Sequence, residues 1–247
     1  MNKLKCTISY DGAGFNGYQI QPGQRTVQGE LEHALYRMHK KNPIRVMASG
    51  RTDTGVHAKG QVIHFISPLT MPEANWKRAM NTLLPDDIFV HQAEWVSDAF
   101  HSRYDAIGKE YRYFLYQDSE TDVFKRHYAL HYPRELSLTR IQEACSYLQG
   151  THDFTTFSSA KASTKGSKVR TMHDVRCEKS GDNIVFIFYG DGFLYNMVRI
   201  MIGILLDVGT GKLTPLDILD LLYKRDRRLA GVTAPPQGLY LWRVFYA

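Results

Sequence analysis

The stretch FLYNMVRIMIGILLDVG, residues 193–209, is the strongest constraint this sequence places on its own fold. Apolar residues fill nearly every position instead of one stripe, so a helix formed here must be covered on all sides. Arg199 interrupts the run and Asp207 closes it, which leaves it short and flawed as a membrane span. A buried helix is expected, and the rest of the chain must supply the layers around it. A guanidinium in a low-dielectric interior is costly unless it is paired. Arg199 therefore has to reach solvent, pair with Asp207, or meet an acid from elsewhere in the chain.

With 247 residues, 43% of them hydrophobic and 23% charged, there is material for one large domain or two small ones. The order of local patterns favours two. KLKCTISYDG (3–12) alternates and then turns at Asp-Gly, as a strand does. TVQGELEHALYRMHKK opens on Thr26, an N-cap residue, and places Val27, Leu31, Ala34, Leu35 and Met38 at helical spacing. QVIHFIS reads as a strand, MPEANWKRAMNTLLP as a helix with Pro72 near its start, and DIFVHQAEWVS as a strand. A second series begins at residue 109 with the strand KEYRYFLYQ. The helix LTRIQEACSYLQG follows, ending at Gly150, and then a hairpin turning at Ser180-Gly181-Asp182. The expected fold class is α+β. Two similar mixed α/β halves with predominantly antiparallel sheets, residues 1–104 and 105–247, are joined near DAFHSRYDAIG. Their sheets could run on as one, with a catalytic cleft between the halves. The loop SSAKASTKGSKVRT (158–171) is small, polar and basic, and is predicted to be mobile.

The formal net charge of +6 favours a polyanionic partner such as nucleic acid. Cys6, Cys145 and Cys177 are far apart, odd in number and without a Cys-x-x-Cys pair, as expected of reduced thiols in a cytoplasmic protein. MNKLKCTISYDG has two lysines but no apolar run behind them, so no signal peptide is expected.

Three familiar signatures fail on inspection. DVGTGKL has Leu206 and Leu213 where a phosphate-binding loop needs a glycine and a hydroxyl. GDGFLYN offers Gly190 and Gly192 before a helix but lacks the third glycine of a dinucleotide fingerprint. His127 and His131 are four apart, with no nearby Cys, Asp or Glu to complete a metal site.

What remains is ASGRTDTGVHAKGQVIHF, residues 48–65. It holds Asp53 in a loop framed by Gly50 and Gly55, two residues after Arg51. Such a loop can be a plain Asx-type turn, or it can hold a single working carboxylate. KEYRYFLYQ places Tyr111 and Tyr113 on one strand face beside Lys109, with Arg112 and Phe114 on the other. Rings beside cations suit an unstacked base as well as they suit a core. Basic clusters at 37–45, 161–170 and 224–228, interleaved with aromatics, favour RNA.

Together these pieces resemble the tRNA pseudouridine synthase A family along nearly the whole chain. The likeness is carried by YDGAGFNGYQIQPGQRTVQGELEHAL, GRTDTGVHAKGQV, KEYRY, THDFTTFSS, GDGFLYNMVR and APPQGLYL. Asn16 and Tyr18 stand where the family often has other residues, including a tryptophan near Tyr18. The resemblance implies an enzyme that isomerises uridine to pseudouridine in the tRNA anticodon stem-loop, at conventional positions 38, 39 and/or 40. It implies Asp53 as nucleophile, Tyr111 as the ring that stacks on uracil and handles a proton, and Arg199 as the partner of the aspartate. It also implies a homodimer whose basic cleft binds tRNA, with no metal, no cofactor and no membrane. Arg51 is positioned to fill the space left by an extruded base or to hold a phosphate. Two other readings stay open at this point: a catalytically silent RNA-binding paralogue, and a magnesium-dependent phosphoaspartate enzyme.

Overall fold

A computed structural model describes residues 2–159 and 166–247. Residues 160–165, which include Lys161 and Lys165 of the basic loop predicted to be mobile, lie outside the described residues. The chain divides into two compact units, Met1–Ile107 with Tyr240–Ala247, and Gly108–Leu239.

In chain order the elements open with strand β1 (Asn2–Tyr10), helix α1 (Val27–Met38), and strands β2 (Met47–Ala48) and β3 (His57–Ser67). Helix α2 (Glu73–Leu83) and strands β4 (Ile88–Val96), β5 (Ala106–Tyr116) and β6 (Leu130–His131) follow. Then come helix α3 (Leu138–Leu148) and strands β7 (Gly150–Asp153), β8 (Val169–Ser180) and β9 (Asn183–Gly190). Helices α4 (Met197–Gly209) and α5 (Asp217–Lys224) precede the last strand, β10 (Leu239–Tyr246). The class is α+β, with mostly antiparallel pairing and five helices among the described residues.

In the first unit the strands run β4-β1-β3-β10, with β2 also on β3. All pairs are antiparallel except β10 with β3, where Tyr240 faces His57 and Leu241 faces Ala58. The approach is close. A Cβ on Gly60 would sit 2.6 Å from the Trp242 carbonyl oxygen, so glycine is what lets the last strand reach β3. This return differs from a division at residues 104 and 105, because the last eight residues belong with the first hundred. Alternation along β1 buries Leu4, Cys6 and Ile8. They form the core with Leu31 and Leu35 of α1 and with Trp76 and Met80 of α2. Trp76 meets Phe65 and Trp95 edge-on, at 5.5 and 5.9 Å between centroids. The cap of α1 is as expected, with Thr26 Oγ1 accepting from the Gly29 amide.

The second unit orders its strands β5-β9-β8-β7 with antiparallel neighbours, and β6 lies parallel to β5. The β8–β9 hairpin turns where expected, Ser180 opposite Asn183, with Gly181 in the left-handed region at φ 57°. The apolar helix starts later than its hydrophobicity suggests, at Met197. Asn196 just before it has φ 60°, a conformation that asparagine tolerates and that precludes continuing the helix backwards. From Met197 to Gly209, α4 is buried at every position except Arg199, Gly203 and Asp207.

Candidate active site

The Asp53 loop is built from below by buried polar groups. Ser49 Oγ donates to Gln61 Oε1 at 2.7 Å, and Gln61 Nε2 donates to the Gly50 carbonyl at 2.9 Å. Both side chains are fully buried, so each bond sits where an unmade partner would be costly. Further along, Thr52 Oγ1 and the Tyr10 hydroxyl share a buried hydrogen bond of 2.8 Å. Burial pushes the Tyr10 phenol up to about 12, with the Thr52 and Gln61 hydrogen bonds acting against the rise, so it remains protonated at neutral pH. Asp53 itself is half-buried, between the buried Thr52 and the exposed Thr54, and Arg51 is exposed.

From above, residues 11–26 cover the loop. Tyr18 N donates to the Thr52 carbonyl at 3.0 Å, and Gly55 N donates to the Phe15 carbonyl at 3.4 Å. Two glycines make the approach feasible. A Cβ on Gly12 would lie 2.1 Å from the Val56 carbonyl oxygen. One on Gly17, whose φ is +82°, would lie 3.0 Å from the Thr52 carbonyl oxygen. Gly12 N also donates to His57 Nδ1 at 3.0 Å. The cover is clamped at its far end by Arg25, which grips both oxygens of Asp87 at 2.6 and 2.9 Å and lies 4.2 Å over the Phe15 ring. The Asp87 hydrogen bond, followed by its charge and the Glu30 contacts, raises the Arg25 guanidinium above its ordinary value against the effect of burial.

In the second unit, β5 alternates as the sequence indicates, and both Tyr111 and Tyr113 are buried. The Tyr111 ring meets Phe193 edge-on at 4.8 Å. Arg199 lies on the one stripe of α4 that is not sealed by core residues, with Gly203 and Asp207 one and two turns further on. Residues 231–234 run along that stripe. Arg199 Nε donates to the Ala234 carbonyl at 2.7 Å, and Ala234 N returns a bond to the Arg199 carbonyl at 3.0 Å. A Cβ on Gly203 would fall 1.9 Å from the Val232 carbonyl oxygen. Arg199 Nη1 also donates to Asn196 Oδ1 at 3.1 Å, while Asp207 pairs with Lys212 at 3.0 Å. The neighbouring strap carbonyl, Pro235, accepts from the Tyr113 hydroxyl at 2.9 Å, so the strap ties α4 to β5. Burial drives the Tyr113 phenol well above its ordinary value, and the Arg199 charge opposes that rise.

Arg51 and Asp53 thus share one loop of the first unit, and Tyr111 and Arg199 belong to the second. Sequence patterns gave no sign of Ser49, Gln61, Tyr10 or Ala234 as supports, because each acts through a register or crossing that joins distant segments. Among the described residues, no three His, Cys, Asp or Glu side chains are grouped so as to hold a metal ion. No helix there is long and apolar enough to cross a membrane.

A family model described as tRNA pseudouridine synthase matches residues 7–105 and 144–247, most of both units. The chain belongs to the tRNA pseudouridine synthase family. Its relatives carry the narrower name of tRNA pseudouridine synthase A. One from Oceanobacillus iheyensis is 61% identical over 246 residues, covering 100% of this chain and 97% of that one. A second, from Bacillus licheniformis, is 57% identical, and a third, from Bacillus subtilis, is 55% identical, each covering 99% of both chains. As a tRNA pseudouridine synthase the protein is an enzyme, an isomerase, and the silent-paralogue and phosphoaspartate readings fall away. Arg51, Asp53 and Arg199 lie within the matched stretches, and Tyr111 falls between them.

Proposed function

We propose that this enzyme converts uridine to pseudouridine at positions 38, 39 and/or 40 of the tRNA anticodon stem-loop, with Asp53 as its nucleophile. The observation that carries the reading is the way the Asp53 loop is made. Buried hydrogen bonds below and a glycine-permitted backbone cover above hold one half-buried carboxylate in a fixed place. The reaction breaks the bond from ribose carbon 1′ to uracil N1, turns the base, and joins carbon 1′ to carbon 5. Carbon 5 gives up its proton and N1 gains one, so nothing is oxidised and no group is donated. That balance is consistent with an enzyme that needs neither metal nor organic cofactor. The carboxylate attacks either carbon 1′ or carbon 6 of the base. A carbon 1′ adduct is displaced when carbon 5 bonds to the sugar, whereas a carbon 6 adduct is expelled afterwards, as carbon 5 loses its proton and the 5,6 double bond re-forms.

In this reading Arg199 is the counter-charge of the aspartate. Its guanidinium plane is already oriented through Nε and Nη1, as a bidentate partner of a carboxylate requires. Tyr111 stacks on the extruded uracil and takes part in moving the carbon 5 proton. Exposed Arg51 fills the vacated stack or holds a phosphate. The enzyme works as a homodimer in the cytoplasm, and the net charge of +6 per chain supports a salt-sensitive hold on tRNA.

The test is Asp53→Asn on an unmodified tRNA transcript. Turnover is expected to fall at least about a thousandfold, a loss of ~4 kcal/mol of transition-state stabilisation. Binding, which comes mainly from phosphate contacts, should stay within about threefold. Residual turnover within tenfold of wild type would remove Asp53 as nucleophile. Chemical mapping of the product should find pseudouridine at 38, 39 or 40, and modification elsewhere would overturn the site assignment.

A further inference from the structure

The turn at residues 101–105 of the first unit is held unusually firmly for a segment whose tip faces solvent. His101 N donates to Asp105 Oδ2 at 2.8 Å, and Asp105 N donates back to the His101 carbonyl at 3.1 Å. Arg103 N and Tyr104 N both point at His101 Nδ1, at 3.1 and 3.4 Å. Buried Ser102 anchors the turn: its amide donates to His64 Nδ1 at 3.1 Å, and its hydroxyl to the Met47 carbonyl at 3.2 Å. The Tyr246 hydroxyl closes the set by donating to the Ser102 carbonyl at 2.6 Å. Burial, helped by the nearby His101 and Lys3, lowers the His64 imidazole to about 4, so the ring is neutral at neutral pH, and its Nδ1 is the nitrogen that accepts from the Ser102 amide.

Arg103, Tyr104 and Asp105 are exposed in this turn, and with the Asp105 carboxylate taken up by the His101 amide, Arg103 and Tyr104 are the side chains it displays. The Tyr104 ring is 76% exposed and lies 4.2 Å from the His101 ring at an interplanar angle of 30°. One face is backed by an imidazole, and the other is open. A lone exposed aromatic is ordinary, but a rigidly backed one beside a guanidinium is the composition of a base-stacking site. Its place in the unit points the same way. Met47, to which Ser102 is bonded, opens β2, and the chain runs from there into the aspartate loop. Six positions separate Met47 from Asp53, a span of no more than about 22 Å. Arg51 on that run, and Arg45 two residues before it, are also exposed.

We propose that Tyr104, with Arg103 beside it, is a stacking platform for an unpaired nucleotide of the RNA that flanks the target uridine. The Arg103 cation holds the adjoining phosphate. The proposal rests on the tRNA isomerase reading and adds to it a residue that positions the substrate without touching the reacting atoms. It predicts that Tyr104 acts through its ring and not through its hydroxyl.

The experiment follows pseudouridine formation on an unmodified tRNA transcript by wild-type, Tyr104→Ala, Tyr104→Phe and Tyr104→Trp enzymes. Tyr104→Ala should raise KM roughly tenfold, the size of one lost base stack, with kcat within about twofold. Tyr104→Phe and Tyr104→Trp should keep KM near wild type, because each retains an aromatic face. Added tRNA should quench the emission of the Tyr104→Trp enzyme beyond that of wild type. The mostly exposed ring makes all three variants melt with wild type. An unchanged KM in Tyr104→Ala with no added quenching overturns the platform and leaves the isomerase reading standing. A KM raised equally by Tyr104→Phe overturns stacking in favour of the hydroxyl. No pseudouridine from the wild-type enzyme overturns the isomerase reading itself, and the platform with it.

Discussion

The Asp53 loop of the first unit and the Arg199 helix of the second each hold a charged side chain half out of solvent, with opposite materials. The loop stands on buried hydrogen bonds, Ser49 with Gln61 and Thr52 with Tyr10, and on backbone contacts that Gly12 and Gly17 permit. The helix stands on apolar burial all round, from Ile200 to Val208, and is sealed along one stripe by the strap at 231–234. Polar support is directional, so the loop is fixed but brittle. Apolar support is non-directional, so the helix stays put even where its one polar seam is disturbed.

The sharpest way to break this contrast is to add the same methyl group to both. Gly12→Ala drives a Cβ into the Val56 carbonyl at 2.1 Å, where the chain is already committed to β3. Gly203→Ala meets the Val232 carbonyl at 1.9 Å, in a strap whose Val232 is 76% exposed and can lift away. Overpacking typically costs about 1–3 kcal/mol. Gly12→Ala is expected at or above the upper end and Gly203→Ala near the lower. A cost of ~3 kcal/mol lowers Tm by roughly 6–12 °C in a chain of this size. Thermal melts that rank the two the other way would refute the contrast.

Smaller changes sharpen it inside the loop. Tyr10→Phe strips the buried Thr52 hydroxyl of its partner and should cost about 1 kcal/mol. Some loss of kcat should accompany it, since Thr52 adjoins the nucleophile. The Tyr18 hydroxyl is buried only a short way off, with no hydrogen-bond partner, and burial holds its phenol well above the ordinary value. Tyr18→Phe removes a buried polar atom that gains nothing, so urea unfolding should show it within ~0.5 kcal/mol of wild type or slightly more stable. A loss equal to that of Tyr10→Phe would mean that the Tyr18 hydroxyl is engaged after all.

Much of this was legible wherever the signal is local. Thr26 capping α1, the alternation of β1 and β5, and the Gly181 turn each depend on residues a few positions apart. The late start of α4 was hidden because hydrophobicity does not register the left-handed Asn196. In the site, the framing of Asp53 by Gly55 could be read directly, and Gly55 does adopt φ 76°. The glycines that admit the cover, Gly12 and Gly17, lie some forty residues earlier, and no spacing rule connects them to it. The same holds for Ala234, which meets Arg199 only because a strap crosses the helix. Charges and loops announce themselves in sequence, but their supports come from elsewhere in the chain.

The parallel pairing of β10 with β3 has a consequence for how the protein is made. His57 leaves the ribosome 183 residues ahead of its partner Tyr240. At roughly 5–20 residues per second, the edge of β3 that β10 will occupy waits about ten to forty seconds. During that interval every residue of the second unit is synthesised and can fold. An open strand edge is a template for unwanted pairing, and this stretch of β3 stays without its β10 partner until the second unit has been made. The unit that emerges first is the last to be completed.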